Sequence, residues 1–261
     1  MRKGVAFTIG SFVIGFILWE IAVRVSNVPA YILPPPSGIL VALYRGLNTS
    51  LLGRAGYYYH FGVTLYEALF RLVIGSLRGV ILGTLVSQVS FFERTLFPWI
   101  VAFQALPKIA LAPLFVLWFG FGLTSKIVMV IVMTFFPLLI NSIAGFKSVD
   151  IEQIDMLRSY SATEWQIFKM VKLPNALPYI FAGLDMAVVL CVLGAIVGEF
   201  VGAQSGLGAL IMQMNVSMDV RGVFSVLIIL AGLGLALHFL VTKIEKKVLF
   251  WAPKERTMTG V

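Results

Sequence analysis

Side chains able to make or break covalent bonds are few in this sequence and poorly spaced for it. Its 261 residues hold two histidines, His60 and His238, a single cysteine, Cys191, and twelve carboxylates. A metal site needs several His, Cys or carboxylate ligands at short, regular spacings, and none of these residues supplies one. Paired carboxylates at catalytic spacing, a nucleophile beside a base, and a G-x-x-x-x-G-K-[ST] loop to cradle phosphate are equally lacking. The chain is therefore expected to be no enzyme, with no catalytic residue, no metal and no cofactor of its own. What remains are charges set in apolar surroundings: Glu67, Arg71, Arg78, Lys108, Asp185 and Glu199. Ionisable groups at membrane depth are costly, so each must pair with a neighbour or face a polar path.

The elements that must hold these charges follow from composition. Hydrophobic residues make up 59% of the chain and charged ones only 12%, against about 45–50% and 25% in soluble domains. A water-facing surface cannot absorb that excess, and the chain reads as all-α and polytopic. About six stretches are long enough to cross a bilayer, near 5–23, 63–86, 96–119, 127–146, 179–201 and 223–242, forming one transmembrane domain over 1–261. The first is too long, and too poor in cleavage-site residues, for a removed leader. A net charge of +8 need not mean nucleic acid, because cytoplasmic loops of membrane proteins collect Lys and Arg. With the N-terminus inside, Arg2, Lys3, Arg94, Lys147, Arg158, Lys169, Lys172, Lys243, Lys246, Lys247, Lys254 and Arg256 fall on the inner side. Only Arg24, Arg45, Arg54, Lys126 and Arg221 fall outside. Both termini are thus expected in the cytoplasm of a bacterial inner membrane. On the outer side, Pro34, Pro35 and Pro36 lead into Ile39, Leu40, Leu43 and Leu47, spaced for a short amphipathic helix.

The inner loop 150–178 is long and amphipathic. Ile151, Ile154, Leu157 and Tyr160 recur at helical spacing, as do Trp165, Phe168 and Val171. Either Thr163 with Gln166 or Ser161 with Glu164 fits a capping box that starts a second helix. Leu173-Pro174 and Leu177-Pro178 are expected to end the segment, leaving a short helix–turn–helix between spans four and five.

Those residues carry a resemblance. Asp155-Met156-Leu157, Ser161 and Val171-x-Leu173-Pro174 match the spacing of the E-A-A…G…I-x-L-P signature of ATP-binding-cassette importer permeases. ILPPPSGIL at 32–40, ALPKIALAPLFVLWFGFG at 105–122, LPNALPYIFAGL at 173–184 and GEFVGAQSGLGALI at 198–211 resemble the nitrate/sulfonate/taurine branch of the binding-protein-dependent importers. The resemblance runs from about residue 15 to 245. It departs at the acidic position, which is Asp, at two alanines replaced by Met and Leu, and at the glycine, which is Ser161. A left-handed serine there would cost about 1 kcal/mol; alternatively, Ser161 is a helix cap.

The resemblance implies a division of labour. Two permease copies would pair across the bilayer, and each would dock its loop on a cytoplasmic ATPase dimer that holds ATP and Mg. An external binding protein would deliver the solute, a small anion such as a sulfonate, taurine, nitrate or an organic acid. Asp155, Met156, Leu157, Ser161, Ala162, Thr163, Leu173 and Pro174 would form the coupling loop. A stand-alone secondary transporter and a non-transporting scaffold are the competing readings.

Candidates for the solute path are Lys108, Glu199, Gln204 and Ser205. Lys108 lies between Pro107 and Pro113, where it could satisfy freed carbonyls or face an anionic solute. Glu199 precedes a glycine-rich stretch, and 202–211 reads as a re-entrant or gating segment. Glu67, Arg71 and Arg78 form an expected stabilising network, and Asp185 is expected to pair with a basic neighbour. Tyr57, Tyr58, Tyr59 and His60 form an aromatic cluster in the outer loop, suited to an interfacial belt or to docking.

Overall fold

A computed structural model describes residues 2–48 and 56–251. Arg54, Lys254 and Arg256 lie outside the described residues, as do the side chains of Arg2 and Lys3. The described residues form eleven α-helices and no strand. In chain order they are α1 (Arg2–Val25), α2 (Pro36–Leu47), α3 (Tyr57–Gln88), α4 (Ser90–Ala105), α5 (Ala112–Phe119), α6 (Leu123–Lys147), α7 (Ile151–Ser159), α8 (Glu164–Ile167), α9 (Leu173–Phe200), α10 (Leu207–Val216) and α11 (Val220–Val248). Four described helical units are long and apolar enough to cross a membrane: α3, α6, the unit Glu164–Phe200 and α11. A fifth is reached if the bent pair Ser90–Ala105 and Lys108–Phe119 counts as one span. This is a multi-pass membrane protein. α1 is 24 residues long, about 36 Å at 1.5 Å per residue, and bares Phe12, Ile14, Phe16 and Leu18 on its surface.

The core is the trio α3, α6 and α9, and small residues let it close. Gly75, Gly79 and Gly83 stand four apart on α3, directly against α6. A Cβ built at Gly79 would lie 2.7 Å from the Phe135 carbonyl oxygen and 2.8 Å from the Leu138 Cβ. Helices in lipid gain little from burying apolar surface, so close backbone approach supplies much of their attraction. α9 meets α6 in the same way, with Gly183 on the Pro137 carbonyl and Gly145 of α6 on Ala176. Ala68, Val130, Ala187, Cys191 and Ala195 fill the space between them.

Four expectations change. The span at 96–119 is two helices bent by 85°, because Pro107 has no N–H to continue the ladder and pushes Leu106 into extended backbone. Tyr57 to His60 are not loop but the first turn of α3, with Tyr57 and His60 buried. Lys126 is not in an outer loop; it is buried in α6. Finally, the prolines at 174 and 178 do not end the loop. Helix continues from Glu164 to Phe200 through a π-helical turn at Phe168–Lys172, and Pro174 sits at the start of α9, where its missing N–H is tolerated.

Candidate functional site

One end of the bundle carries the turn between α7 and α8. Asp150 caps α7, its carboxylate accepting from the Glu152 N–H at 3.1 Å. The helix then closes on a left-handed residue, Ser161 at φ +60. The Ser161 N–H donates to the Arg158 carbonyl and the Ala162 N–H to the Leu157 carbonyl, at 2.9 and 3.1 Å. This is the hydrogen-bond pattern that glycine usually closes. Thr163, not Ser161, is the N-cap of α8, in a full capping box with Gln166. Arg158 staples the turn by donating to Glu164 at 3.0 Å, with Asp155 at 3.8 Å.

Ile151, Met156, Tyr160 and Trp165 leave apolar surface exposed on this turn. Asp155 and Thr163 are exposed, and Leu157, Ala162, Leu173 and Pro174 are half-buried. Ile167 is fully buried, and Phe168 stacks on both Trp165 and Phe146, each at 5.6 Å. The turn is thereby fixed to α6 as well as to α9. On the same side Lys147 pairs with Glu93, and Lys172 donates to Gln88 at 2.7 Å.

The opposite end holds α10, and its first turn is tied down from outside the helix. Gly206 N–H donates to His60 Nδ1 at 3.1 Å, Leu207 N–H to Thr64 Oγ1 at 2.8 Å, and Gly208 N–H to Glu199 Oε2 at 2.6 Å. Thr64 Oγ1 in turn donates to Glu199 Oε1 at 2.8 Å. Three N–H groups that a helix start leaves without partners are thus met by side chains of α3 and α9. The carboxylate also stands at the favourable end of the α10 dipole. Gly206 has φ +114, and a Cβ there would overlap the Glu199 carboxyl group.

One turn further along α3, Glu67 accepts from Arg71 at 2.9 Å and lies 3.5 Å from Lys126 Nζ. All three are at least nine-tenths buried. Sequence reasoning missed Lys126, His60 and Thr64 as parts of this array. The available signal was the stripe His60, Thr64, Glu67 and Arg71, one face of a helix.

Among the path candidates, Glu199 is 1% exposed and engaged as described. Gln204 is exposed and Ser205 half-buried, in the turn before α10. Lys108 donates to the Gln104 carbonyl at 2.9 Å and lies 5.0 Å from the Phe136 ring centroid. Arg78 is exposed and stands apart from the Glu67 array, and Asp185 pairs with His238.

Residues 75–250 match a protein family described as the binding-protein-dependent transport system inner membrane component. The chain belongs to that family. This permease is 35% identical over 244 residues to the formylaminopyrimidine transport permease protein ThiX of Halalkalibacterium halodurans, covering 94% of this chain and 95% of ThiX. It is 36% identical to the riboflavin transport system permease protein RibX of Chloroflexus aurantiacus, over 90% of this chain and 86% of RibX. A putative aliphatic sulfonates transport permease protein, SsuC of Bacillus subtilis, is 31% identical over 90% of this chain and 83% of its own. The permease thus falls among the ATP-binding-cassette importer permeases of the sulfonate and taurine branch. Its fold is also that of the MetNI methionine ABC transporter in an inward-facing conformation, at a TM-score of 0.57 and 20% identity, over 74% of this chain and 95% of that one.

Proposed function

We propose that this permease forms the solute path of an ATP-driven, binding-protein-dependent importer, working as one of two copies over a cytoplasmic ATPase dimer that binds ATP and Mg. The α7–α8 turn is the port where that ATPase docks, α1 is a further span, and both termini lie on the side of this turn. An external binding protein delivers solute at the α10 end. ATP is bound and hydrolysed on the separate subunit.

The observation that carries the reading is a single helical unit. Glu164–Phe200 starts at the turn and finishes beside Glu199, which holds the first turn of α10. Its 37 residues reach about 55 Å, so a push on the turn arrives at α10 without crossing a loop. The exposed apolar side chains of Ile151, Met156, Tyr160 and Trp165 support a protein partner on the turn. For Lys108, the bond to the Gln104 carbonyl supports a structural role.

The test is Ala162→Arg in the complete importer reconstituted in liposomes. Uptake should be abolished while the permease stays assembled in the membrane and ATP hydrolysis loses its response to the binding protein. Normal uptake in this variant would sink the assignment of the turn.

A further inference from the structure

We infer that the groove between α3 and the start of α6 is where the transported solute binds, and that the solute is a planar nitrogen heterocycle; this rests on the importer reading above. The groove measures about 620 Å³, within the roughly 300–1,000 Å³ typical of small-molecule sites. It lies at the α10 end of the bundle, where solute enters. Its walls are Tyr58, Tyr59, Tyr66 and Phe70, and its floor is the ion pair of Glu67 with Arg71. Tyr66 and Phe70 are stacked within 11° of parallel, 6.0 Å apart, and both keep much of their surface exposed. Flat aromatic faces of this kind accept another flat ring.

The floor selects the edge of that ring. Glu67 and Arg71 are 7% and 2% exposed, and they present an acceptor beside a donor. Arg71 uses only part of its five-donor fork on Glu67. A heterocycle edge with a ring N or C=O next to an N–H satisfies both, the acceptor facing Arg71 and the donor facing Glu67. An alkyl sulfonate offers acceptors only and gives four aromatic rings nothing to stack on. Two relatives are named for transport of a formylaminopyrimidine and of riboflavin, both nitrogen heterocycles.

The test uses proteoliposomes holding this permease with its ATPase and external binding protein, and follows uptake of riboflavin, formylaminopyrimidine, taurine and butanesulfonate beside ATP hydrolysis. Uptake of a heterocycle without either sulfonate is expected. Tyr66→Ala and Phe70→Ala should each lower it about tenfold, the scale of one lost ring stack. Tyr66→Phe should retain it. Phe239→Ala, on an exposed part of α11 outside the groove, should leave it unchanged, and the elution volume of each purified complex checks assembly. Uptake of a sulfonate alone overturns the inference. So does heterocycle uptake unaffected by both ring deletions, as when lipid fills the groove, and so does loss of uptake explained by disassembly of the two permease copies. A wild-type complex whose hydrolysis ignores the binding protein overturns the importer reading, and the groove assignment with it.

Discussion

Thr64 shows how much one small side chain can hold in a membrane. Its hydroxyl accepts from Leu207 N–H and donates to Glu199 at the same distance, 2.8 Å, with the residue fully buried. Thr64→Val keeps the volume and removes both bonds. An orphaned buried polar group costs about 1–3 kcal/mol, so the variant should unfold at a lower temperature in detergent; an unchanged midpoint would show that α10 is held by something else. Ser161 is the opposite case, a residue its neighbours force. Its φ of +60 suits glycine, and Ser161→Gly should stabilise the α7–α8 turn by about 1 kcal/mol, read as slower amide exchange at 160–163. Faster exchange would mean that chain freedom gained in the unfolded state outweighs the relief.

At the scale of elements, helices meet where side chains are smallest. The Gly75, Gly79 and Gly83 row lets α3 rest on the α6 backbone, and Glu67 and Thr64 of α3 then find Lys126 and Glu199 within reach. Gly79→Val puts atoms where the Phe135 carbonyl already sits and should cost about 1–3 kcal/mol by overpacking. Gly232→Ala, where a Cβ meets nothing within 4 Å, should be neutral. The comparison is made on thermal unfolding of the two purified variants, and equal midpoints would remove the seam from the account. The bend of 85° between Ser90–Ala105 and Lys108–Phe119 has the same local character. Pro107 breaks the ladder there, and Lys108 reaches back to a carbonyl at the end of α4.

Across the whole molecule, the two ends are joined by Glu164–Phe200, which runs unbroken through the π-helical turn at Phe168–Lys172. A π turn holds one residue more than the α-helix it interrupts. Deleting Met170, which is exposed within it, should restore α-helix and leave the α7–α8 turn nearly in phase with α9, because the π turn already absorbs the extra residue. Assembled complex with uptake still coupled to hydrolysis is the expected result; hydrolysis cut loose from uptake would show that the π turn itself, and not the continuity of the helix, carries the push. Much of this architecture was legible in the sequence. Hydropathy dictates an all-helical membrane chain, turn chemistry dictates the Thr163 capping box, and the spacing from Asp155 to Pro174 points to the family, because each depends on residues near one another in the chain. Glu199 and the glycines after it stand out for the same reason. Which charge meets which was settled only in three dimensions. Glu67 and Lys126, like Thr64 and Leu207, are far apart in sequence and meet because glycines bring helices close enough for polar side chains to find each other. Proline at 174 gave the opposite lesson: a residue that ends helices in isolation sits in the first turn of α9, directly after the π turn, and the helical unit runs on through it.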